Sequence, residues 1–201
     1  FELFARSGLS GMLTDFELLT CAAFTHFERN NVDIALIETG MGGLYDSTNV
    51  VTPIVSIITS VALEHTNFLG DTITQIATHK AGIIKESRPV IVGKLPKEAH
   101  DIVRQTAQTL HATIYAYNEH FTLTGDAPAE TYYNKVEQME LTPLERGLIG
   151  EHQRINAGLA ITAFIEVAKV LNIKLDAQLI KHALKTTAVP GRFEEVLPNV
   201  F

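Results

Sequence analysis

Residues 89–92 are Pro-Val-Ile-Val, a short apolar run without a polar residue that would mark a solvent-facing side. A continuous run of this kind is typical of a strand that is buried on both faces, as in a parallel sheet. Similar runs occur at Val32–Thr39, Val55–Leu63 and Thr113–Tyr117. Helical patterns at residues 72–86 and 97–110 separate the last three of these four runs. Strands that alternate with helices predict an α/β fold with a mostly parallel, doubly wound sheet flanked by helices.

The sequence on either side predicts more helices and a second, smaller sheet. Residues 14–17 (Thr-Asp-Phe-Glu) fit a capping box, in which the Thr hydroxyl and the Glu carboxylate satisfy free amides at a helix start, and helical spacing continues over residues 15–29. Between residues 113 and 147 the pattern changes to apolar–polar alternation, as in Phe121–Thr124, which predicts a small antiparallel sheet. Helical patterns return at residues 153–171 and 176–187.

Composition and charge exclude several classes of protein. The chain has 16 Lys and Arg against 23 Asp and Glu, a formal charge of −7, which argues against non-specific nucleic-acid binding because such binding needs clustered cations. The longest apolar stretch, Val50–Leu63, is too short and too polar to span a bilayer. The single cysteine, Cys21, excludes an internal disulfide framework and a zinc site with several cysteines, and it fits a reducing cytoplasm.

Both ends of the sequence favour a piece of a longer protein. The chain begins at Phe1 with neither Met nor a secretory signal pattern, and it ends at Phe201, just after an apparent strand start. We therefore expect further regions on both sides of these residues.

Two polar residues lie at the carboxyl ends of predicted strands, the edge where ligands bind in open α/β sheets. Glu38 precedes the glycine-rich turn at residues 40–43, and a carboxylate there can hold a hard cation. His65 ends the next predicted strand, so the two side chains would share one rim as a metal or phosphate site. The simpler alternatives are a solvent-facing Glu and a His that makes a structural hydrogen bond. The turn lacks a following Lys-Ser/Thr pair, so it is not a Walker A loop.

Lys80 falls on an apolar helical stripe, whose other members are Ile73, Ile76, Ala77 and Ile84. A buried ammonium is costly, so such a group usually finds a partner or gives up its charge. A neutral amine can react with carbon dioxide to give a carbamate anion. The alternative is that the Lys80 side chain extends along the apolar surface to the rim.

Two polar residues in the last third of the chain are less distinctive. Asn156 lies where a helix opens, and Arg192 follows a helix end. Arg is suited to bidentate contact with phosphate, but from chemistry alone both residues are ordinary polar residues near turns.

Four longer segments together resemble one known family. They are IETGMGGLYDSTNV (37–50), SVALEHTNFLGDTITQIATHKAGIIK (60–85), GEHQRINAGLAI (150–161) and VPGRFE (189–194). In order and spacing, from Thr14 to Glu194, the chain resembles the folylpolyglutamate synthase family, also called dihydrofolate/folylpolyglutamate synthase, of the Mur ligase superfamily. The resemblance implies a partial Mur-ligase-type ATP-binding domain over residues 1–201, with a small antiparallel sheet at 113–147. It also implies an ATP-dependent amide ligase, which converts a carboxylate of folate or dihydropteroate into an acyl phosphate that L-glutamate attacks.

The resemblance assigns roles to matching positions. Glu38 and His65 match Mg²⁺ ligands. Lys80 matches a lysine that is carbamylated in the family. The resemblance therefore makes Lys80, together with His65, the expected catalytic residues. Asn156 and Arg192 match positions that contact ATP. The positions that match pterin-lining segments are Thr14, Phe16, Asp46 and Ser47.

Two departures from the family pattern limit what this chain would do alone. The family has Asp where this chain has Glu64, and no Gly-Lys-Gly-Ser-type phosphate loop occurs in the 201 residues. The C-terminal domain that helps to bind glutamate also lies outside them. We therefore expect the chain to be inactive by itself. The resemblance implies a full-length parent that is a cytoplasmic monomer without nucleic-acid or membrane partners.

Two alternative functions stay open at this point. One is a Mur ligase that acts on a peptidoglycan precursor, although the Gly-Ile-Ile-Lys sequence at 82–85 favours the folate branch. The other is a non-catalytic binding module that has kept the fold. The presence of Glu38, His65 and Lys80 argues against the binding module.

Overall fold

The computed structural model describes residues 13–190 of the chain. Its helices are α1 (Asp15–Arg29), α2 (Thr66–Leu69), α3 (Ile73–Ala81), α4 (Lys97–Thr109), α5 (Glu151–Leu171) and α6 (Ala177–Thr186). Its strands are β1 (Ser56–Ile58), β2 (Val90–Val92), β3 (Ile114–Ala116), β4 (Phe121–Thr124), β5 (Glu130–Asn134) and β6 (Met139–Leu144). A short 3-10 helix covers Ser47–Val50. None of the described helices has the length and apolarity that a bilayer crossing requires.

Strands β1, β2 and β3 form a parallel sheet in that order, with β2 in the centre. Helices α3 and α4 cover one face, where Val90 and Val92 belong to the same buried cluster as both helices. Helix α5 covers the other face, where it packs on Ile91 and Tyr115. The predicted α/β class with a helix-flanked parallel sheet is therefore confirmed, and the Pro-Val-Ile-Val run is apolar throughout because its strand is covered on both faces.

The small antiparallel sheet consists of β4, β5 and β6 and spans residues 121–144. The run at residues 113–117 belongs instead to the parallel sheet, as β3. The antiparallel sheet packs on α5, and the Tyr132 hydroxyl lies 2.9 Å from Thr162 Oγ1 of that helix. Helix α5 therefore contacts both sheets and joins their cores into one.

The predicted strand at Val32–Thr39 is wrong in the described structure. The segment pairs with no described strand, and most of its apolar residues are exposed, Leu36 by 93%. A strand needs a neighbour that takes up its backbone hydrogen bonds, and residues 13–190 provide none beside this segment. An apolar composition alone was therefore not enough to make this segment a strand.

The second predicted strand is shorter than expected, and this moves His65. Strand β1 ends at Ile58, so His65 does not lie at a strand end. It instead precedes α2 with a left-handed backbone conformation (φ 50°) and makes no side-chain capping bond. Of the residues between Ile58 and His65, Val61 is buried in the core beneath the sheet, whereas Leu63 is 60% exposed.

The glycine-rich turn lies against the C-terminal end of α3. The Leu44 amide donates to the carbonyl of His79 at 2.8 Å, and the Asn49 side-chain amide donates to the carbonyl of Gly82 at 3.0 Å. Gly43 has φ 149°, and a Cβ there would lie 2.8 Å from the His79 carbonyl oxygen. A side chain at position 43 would therefore push the turn away from the helix turn that carries Lys80.

Candidate functional site

A cavity of about 470 Å³ opens between the beginning of α1 and the turn that follows Gly40. Its wall contains all four residues that the resemblance matches to a pterin site, namely Thr14, Phe16, Asp46 and Ser47. The other lining residues are Glu17, Met41, Tyr45, Phe68, Leu69 and His79. The fold therefore brings two segments that are distant in sequence to one pocket, whose walls are mainly apolar and aromatic, as is usual for small-molecule sites.

The first turn of α1 fixes the position of Phe16. The predicted capping box is present, because the Glu17 carboxylate accepts from the Thr14 amide at 2.7 Å and the Thr14 hydroxyl accepts from the Glu17 amide. The bond from the Thr14 amide is the main reason that the pKa of Glu17 lies below its ordinary value. The Phe16 ring then lies against Gly40, where a Cβ would fall within 3.0 Å of three ring carbons. Gly40 thus leaves the space that the ring occupies.

Asp46 anchors the loop that forms the opposite wall. Its carboxylate accepts from the Met41 amide at 2.8 Å and from the Thr48 amide at 3.0 Å, and also from the Thr48 hydroxyl. Burial raises the pKa of Asp46, but these hydrogen bonds outweigh it and hold the pKa below its usual range. The Ser47 hydroxyl lies 3.3 Å from Thr20 Oγ1 of α1, which connects the two walls. Asp46 is therefore a negative charge in a fixed place at the edge of the cavity.

Tyr45 stands at the mouth of the cavity with its side chain 84% exposed. Its ring meets the His79 ring edge-on, with centroids 5.8 Å apart and planes at 68°. Phe68, which lines the same cavity, is also largely exposed (73%). Tyr45 and Phe68 thus place two exposed aromatic side chains on the wall of the cavity.

Lys80 lies on α3 directly after His79, which lines the cavity. Its side chain is 23% exposed, and its Nζ lies 2.7 Å from Glu64 Oε1. The Glu64 carboxylate is the partner that a largely buried ammonium needs. Lys80 thus extends from the apolar stripe towards the rim, where a charged partner meets it.

Glu38 and His65 are both exposed. Among residues 13–190, no three His, Cys, Asp or Glu side chains come together as a group that could hold a metal ion. Mg²⁺ commonly takes one or two protein carboxylates and completes its shell with water and phosphate oxygens. The oxygen donor of Glu38 fits this ion well, and the imidazole of His65 fits it less well.

The two residues matched to ATP contacts differ in what the structure describes. Asn156 is partly buried in the second turn of α5, and its side-chain amide lies 3.4 Å from Gln153 Oε1. Arg192 lies outside the described residues.

Sequence reasoning missed Tyr45, Phe68 and His79 as cavity residues. None of them has a spacing that indicates chemistry, and His79 shares no metal-ligand pattern with the other histidines. Their only signal is position, because each lies beside a matched residue or inside a matched segment. It also missed Glu64 as the partner of Lys80, since the two residues are 16 positions apart and meet only in the fold.

Comparison with known proteins identifies the family. The Mur ligase middle domain family matches residues 10–164. The dihydrofolate synthase/folylpolyglutamate synthase of Bacillus subtilis (strain 168) is 38% identical over 194 residues, covering 92% of this chain and 44% of that protein. The folylpolyglutamate synthase of Lacticaseibacillus casei is 37% identical over 189 residues, with the same two coverages. A solved FPGS–AMPPCP–folate complex matches with a TM-score of 0.88 at 35% identity, covering 97% of this chain and 50% of that one.

The chain spans less than half the length of these curated relatives. Within that span, the parallel sheet, the antiparallel sheet and the cavity lie inside a fold that the solved relative shares. The chain belongs to the Mur ligase middle domain family, in the branch of the folylpolyglutamate and dihydrofolate synthases.

Proposed function

We propose that the full-length gene product is an ATP-dependent ligase that joins L-glutamate to a carboxylate of a folate or of dihydropteroate. The observation that carries the proposal is the cavity, because residues 14–17 and 41–47 reach it from separate segments and include every position matched to a pterin site. Relatives with this activity in their names, and a solved complex with AMPPCP and folate, support it. This chain would contribute the middle domain and would be inactive by itself.

The reaction needs an activated carboxylate, because a free carboxylate is a poor electrophile. ATP would transfer its γ-phosphoryl group to the carboxylate, and the amino group of glutamate would displace phosphate from the acyl phosphate. The residues of this chain would mainly position the reactants. Phe16 and Tyr45 would hold the planar ring system of the pterin. Asp46 would accept hydrogen bonds from the N–H groups of that ring system, since the Asp46 carboxylate is charged and fixed in place.

Mg²⁺ would neutralise charge on the phosphoryl group. Glu38 and His65 are the residues that would hold it, with water and phosphate oxygens completing the shell. Lys80 would act as a carbamate, whose negative charge could orient the ion, or as an ammonium paired with Glu64. Asn156 and Arg192 would contact ATP. The free Cys21 fits a reducing cytoplasm as the compartment.

The test is phosphate release by the full-length gene product with magnesium-ATP and L-glutamate. Dihydropteroate, tetrahydrofolate and no pterin are compared, with the 201-residue chain as a further control. Turnover that requires both glutamate and a pterin would support the ligase and would show which acid it prefers. ATP binding without pterin-dependent turnover would contradict the folate assignment and favour another Mur-type substrate, whereas no ATP binding would favour a binding module.

A variant pair tests the role of Glu38. Glu38→Ala should abolish turnover in the full-length enzyme while its circular dichroism spectrum stays unchanged. Glu140→Ala removes another exposed carboxylate, in the antiparallel sheet, and should leave turnover unchanged. Near-normal activity of Glu38→Ala would contradict its assignment as a magnesium ligand.

A further inference from the structure

The most deeply buried carboxylate of the antiparallel sheet has a charged partner outside that sheet. Glu130, at the start of β5, is 1% exposed, and a buried charge is stable only when it is paired. Arg146, whose side chain is 9% exposed, donates to both carboxylate oxygens, with Nη2 at 2.8 Å from Oε1. These two parallel hydrogen bonds fix the orientation of the guanidinium group relative to the carboxylate as well as the distance between them.

Arg146 also fixes the loop that leads into α5. Its Nη1 donates to the carbonyl of Leu148 at 2.6 Å and lies 3.4 Å from the carbonyl of Gly150. Gly150 is the N-cap of α5, and it has no side chain that could cap the helix. The loop carbonyls are therefore held by a guanidinium whose own position is set by Glu130.

A second arginine connects Glu130 with the helix itself. Arg154 Nε lies 3.1 Å from Glu130 Oε1, but its N–H does not point at that oxygen and has no hydrogen-bond partner in the described residues, so the attraction is between charges. Arg154 Nη2 lies 3.2 Å from Glu151 Oε2 in the first turn of α5. One buried carboxylate thus faces two guanidinium groups, one from the loop and one from the helix.

Asn156 depends on where this helix begins. Within residues 13–190 its side chain makes only the long 3.4 Å contact with Gln153, so no strong side-chain bond from this part of the chain fixes it. Its location follows from the position of the first two turns of α5, which Glu130, Arg146 and Arg154 hold.

We propose that Glu130 and Arg146 are positioning residues for the nucleotide, which place the start of α5 so that Asn156 can contact ATP. This inference rests on the proposed function, because it takes Asn156 as an ATP contact. Neither residue would touch the ligand. Their effect would reach ATP through the Leu148 and Gly150 carbonyls and the first turns of the helix.

The test is Arg146→Lys in the full-length gene product, which keeps the charge but loses the two parallel hydrogen bonds. We expect the KM for ATP to rise about tenfold, because the single nitrogen of an ammonium cannot take the places of the three guanidinium nitrogens that contact the carboxylate and the loop carbonyls. The KM for the pterin substrate and kcat should stay within about twofold, since no group at the reacting atoms changes. The control is Arg104→Lys, which makes the same substitution at a surface pair, where Nη2 alone contacts both Glu119 carboxylate oxygens, and it should change neither KM.

A second variant and a binding measurement test the positioning role even if Arg146→Lys does not fold or the folate assignment fails. If Arg146→Lys fails to fold, Arg154→Lys tests the same carboxylate from a more exposed position and should weaken ATP binding in the same direction. Equilibrium dissociation constants for ATP, measured without a pterin, separate the two proposals. Weakened ATP binding in a protein without pterin-dependent turnover would support the positioning role and overturn only the folate assignment. An unchanged ATP constant, or equal losses in kcat and in both KM values, would overturn the positioning role.

Discussion

Lys80 and Glu64 form an ion pair that has a direct chemical consequence for the proposed carbamate. The pair brings the Nζ within 2.7 Å of a carboxylate oxygen. A carbamate on that nitrogen would be negative and would be repelled by the same oxygen. Glu64 must therefore turn away, or share a cation with the carbamate, whenever Lys80 is modified.

Lys80→Ala should lower turnover of the full-length gene product by about a hundredfold or more, because it removes the charge that we propose to act at the phosphoryl group. Small carboxylates such as formate or acetate should restore part of the activity if the missing group is an anion. Lys94→Ala, which removes an exposed lysine, is the matched control. Absence of rescue, together with an unmodified Lys80 in an active, substrate-bound crystal structure, would contradict the carbamate role.

Gly40 and Gly82 should respond differently to the same substitution. In Gly82→Ala the new Cβ would lie 2.5 Å from the Leu44 Cα, so backbone must move, and we expect a loss of about 1–3 kcal/mol in the free energy of unfolding. In Gly40→Ala the three atoms nearest to the new Cβ all belong to the Phe16 ring, a side chain that can rotate away. Gly40→Ala should therefore raise the KM for the pterin and change stability little. Chemical denaturation and steady-state kinetics on both variants check this, and equal effects on stability would contradict it.

At the scale of elements, the 3-10 helix at Ser47–Val50 depends on the charge of Asp46. The folded-state pKa of Asp46 lies below its unfolded value, so its contribution to stability is present above the unfolded pKa and is lost as the pH falls through the folded pKa. Asp46→Ala should cost about 1 kcal/mol at pH 7, as is typical for loss of an N-cap. The cost should shrink as the pH falls below 4. Denaturation of both proteins across this range measures it, and a cost that does not depend on pH would contradict the role of the charge.

Helices could be predicted from the sequence more reliably than strands. The capping box at residues 14–17 and the helical spacing that follows it are local, and the helix forms with the predicted bounds. The runs at Val32–Thr39 and at residues 89–92 are both rich in apolar β-forming residues, yet only the second contains a strand. A strand depends on its neighbours, and the sequence of one run does not contain that information.

In the candidate site, too, residues within a local motif could be predicted, whereas contacts between distant segments could not. Matched motifs predicted Thr14, Phe16, Asp46 and Ser47, and all four line one cavity. The partners of these residues could not be predicted, because the contacts of Phe16 with Gly40 and of Ser47 with Thr20 join separate segments. The same holds for the Glu130–Arg146 pair, whose members are 16 positions apart and meet because β5 and the loop before α5 come together.

At the scale of the whole molecule, helix α5 is the element that packs against both sheets. Leu159 is buried in the cluster that this helix shares with the two sheets. Leu159→Ala should lower the free energy of unfolding by about 2–5 kcal/mol, because it leaves a cavity at this junction. Unfolding should stay a single transition by circular dichroism and by tyrosine fluorescence. Leu171→Ala, at the exposed end of α5, is the control, and a separate early loss of the antiparallel sheet would contradict a shared core.

The open position of Tyr45 makes the cavity accessible to spectroscopy. The 201-residue chain contains no tryptophan, so Tyr45→Trp would introduce its single indole at the cavity mouth, beside the His79 ring. Indole emission depends on exposure to water and on stacking against other rings, so a planar ligand in the cavity should quench it or shift it to shorter wavelength. Titration with dihydropteroate or folate would then report occupancy of this cavity directly, without turnover. Emission that responds to ATP but to neither pterin would show that the cavity belongs to a different ligand.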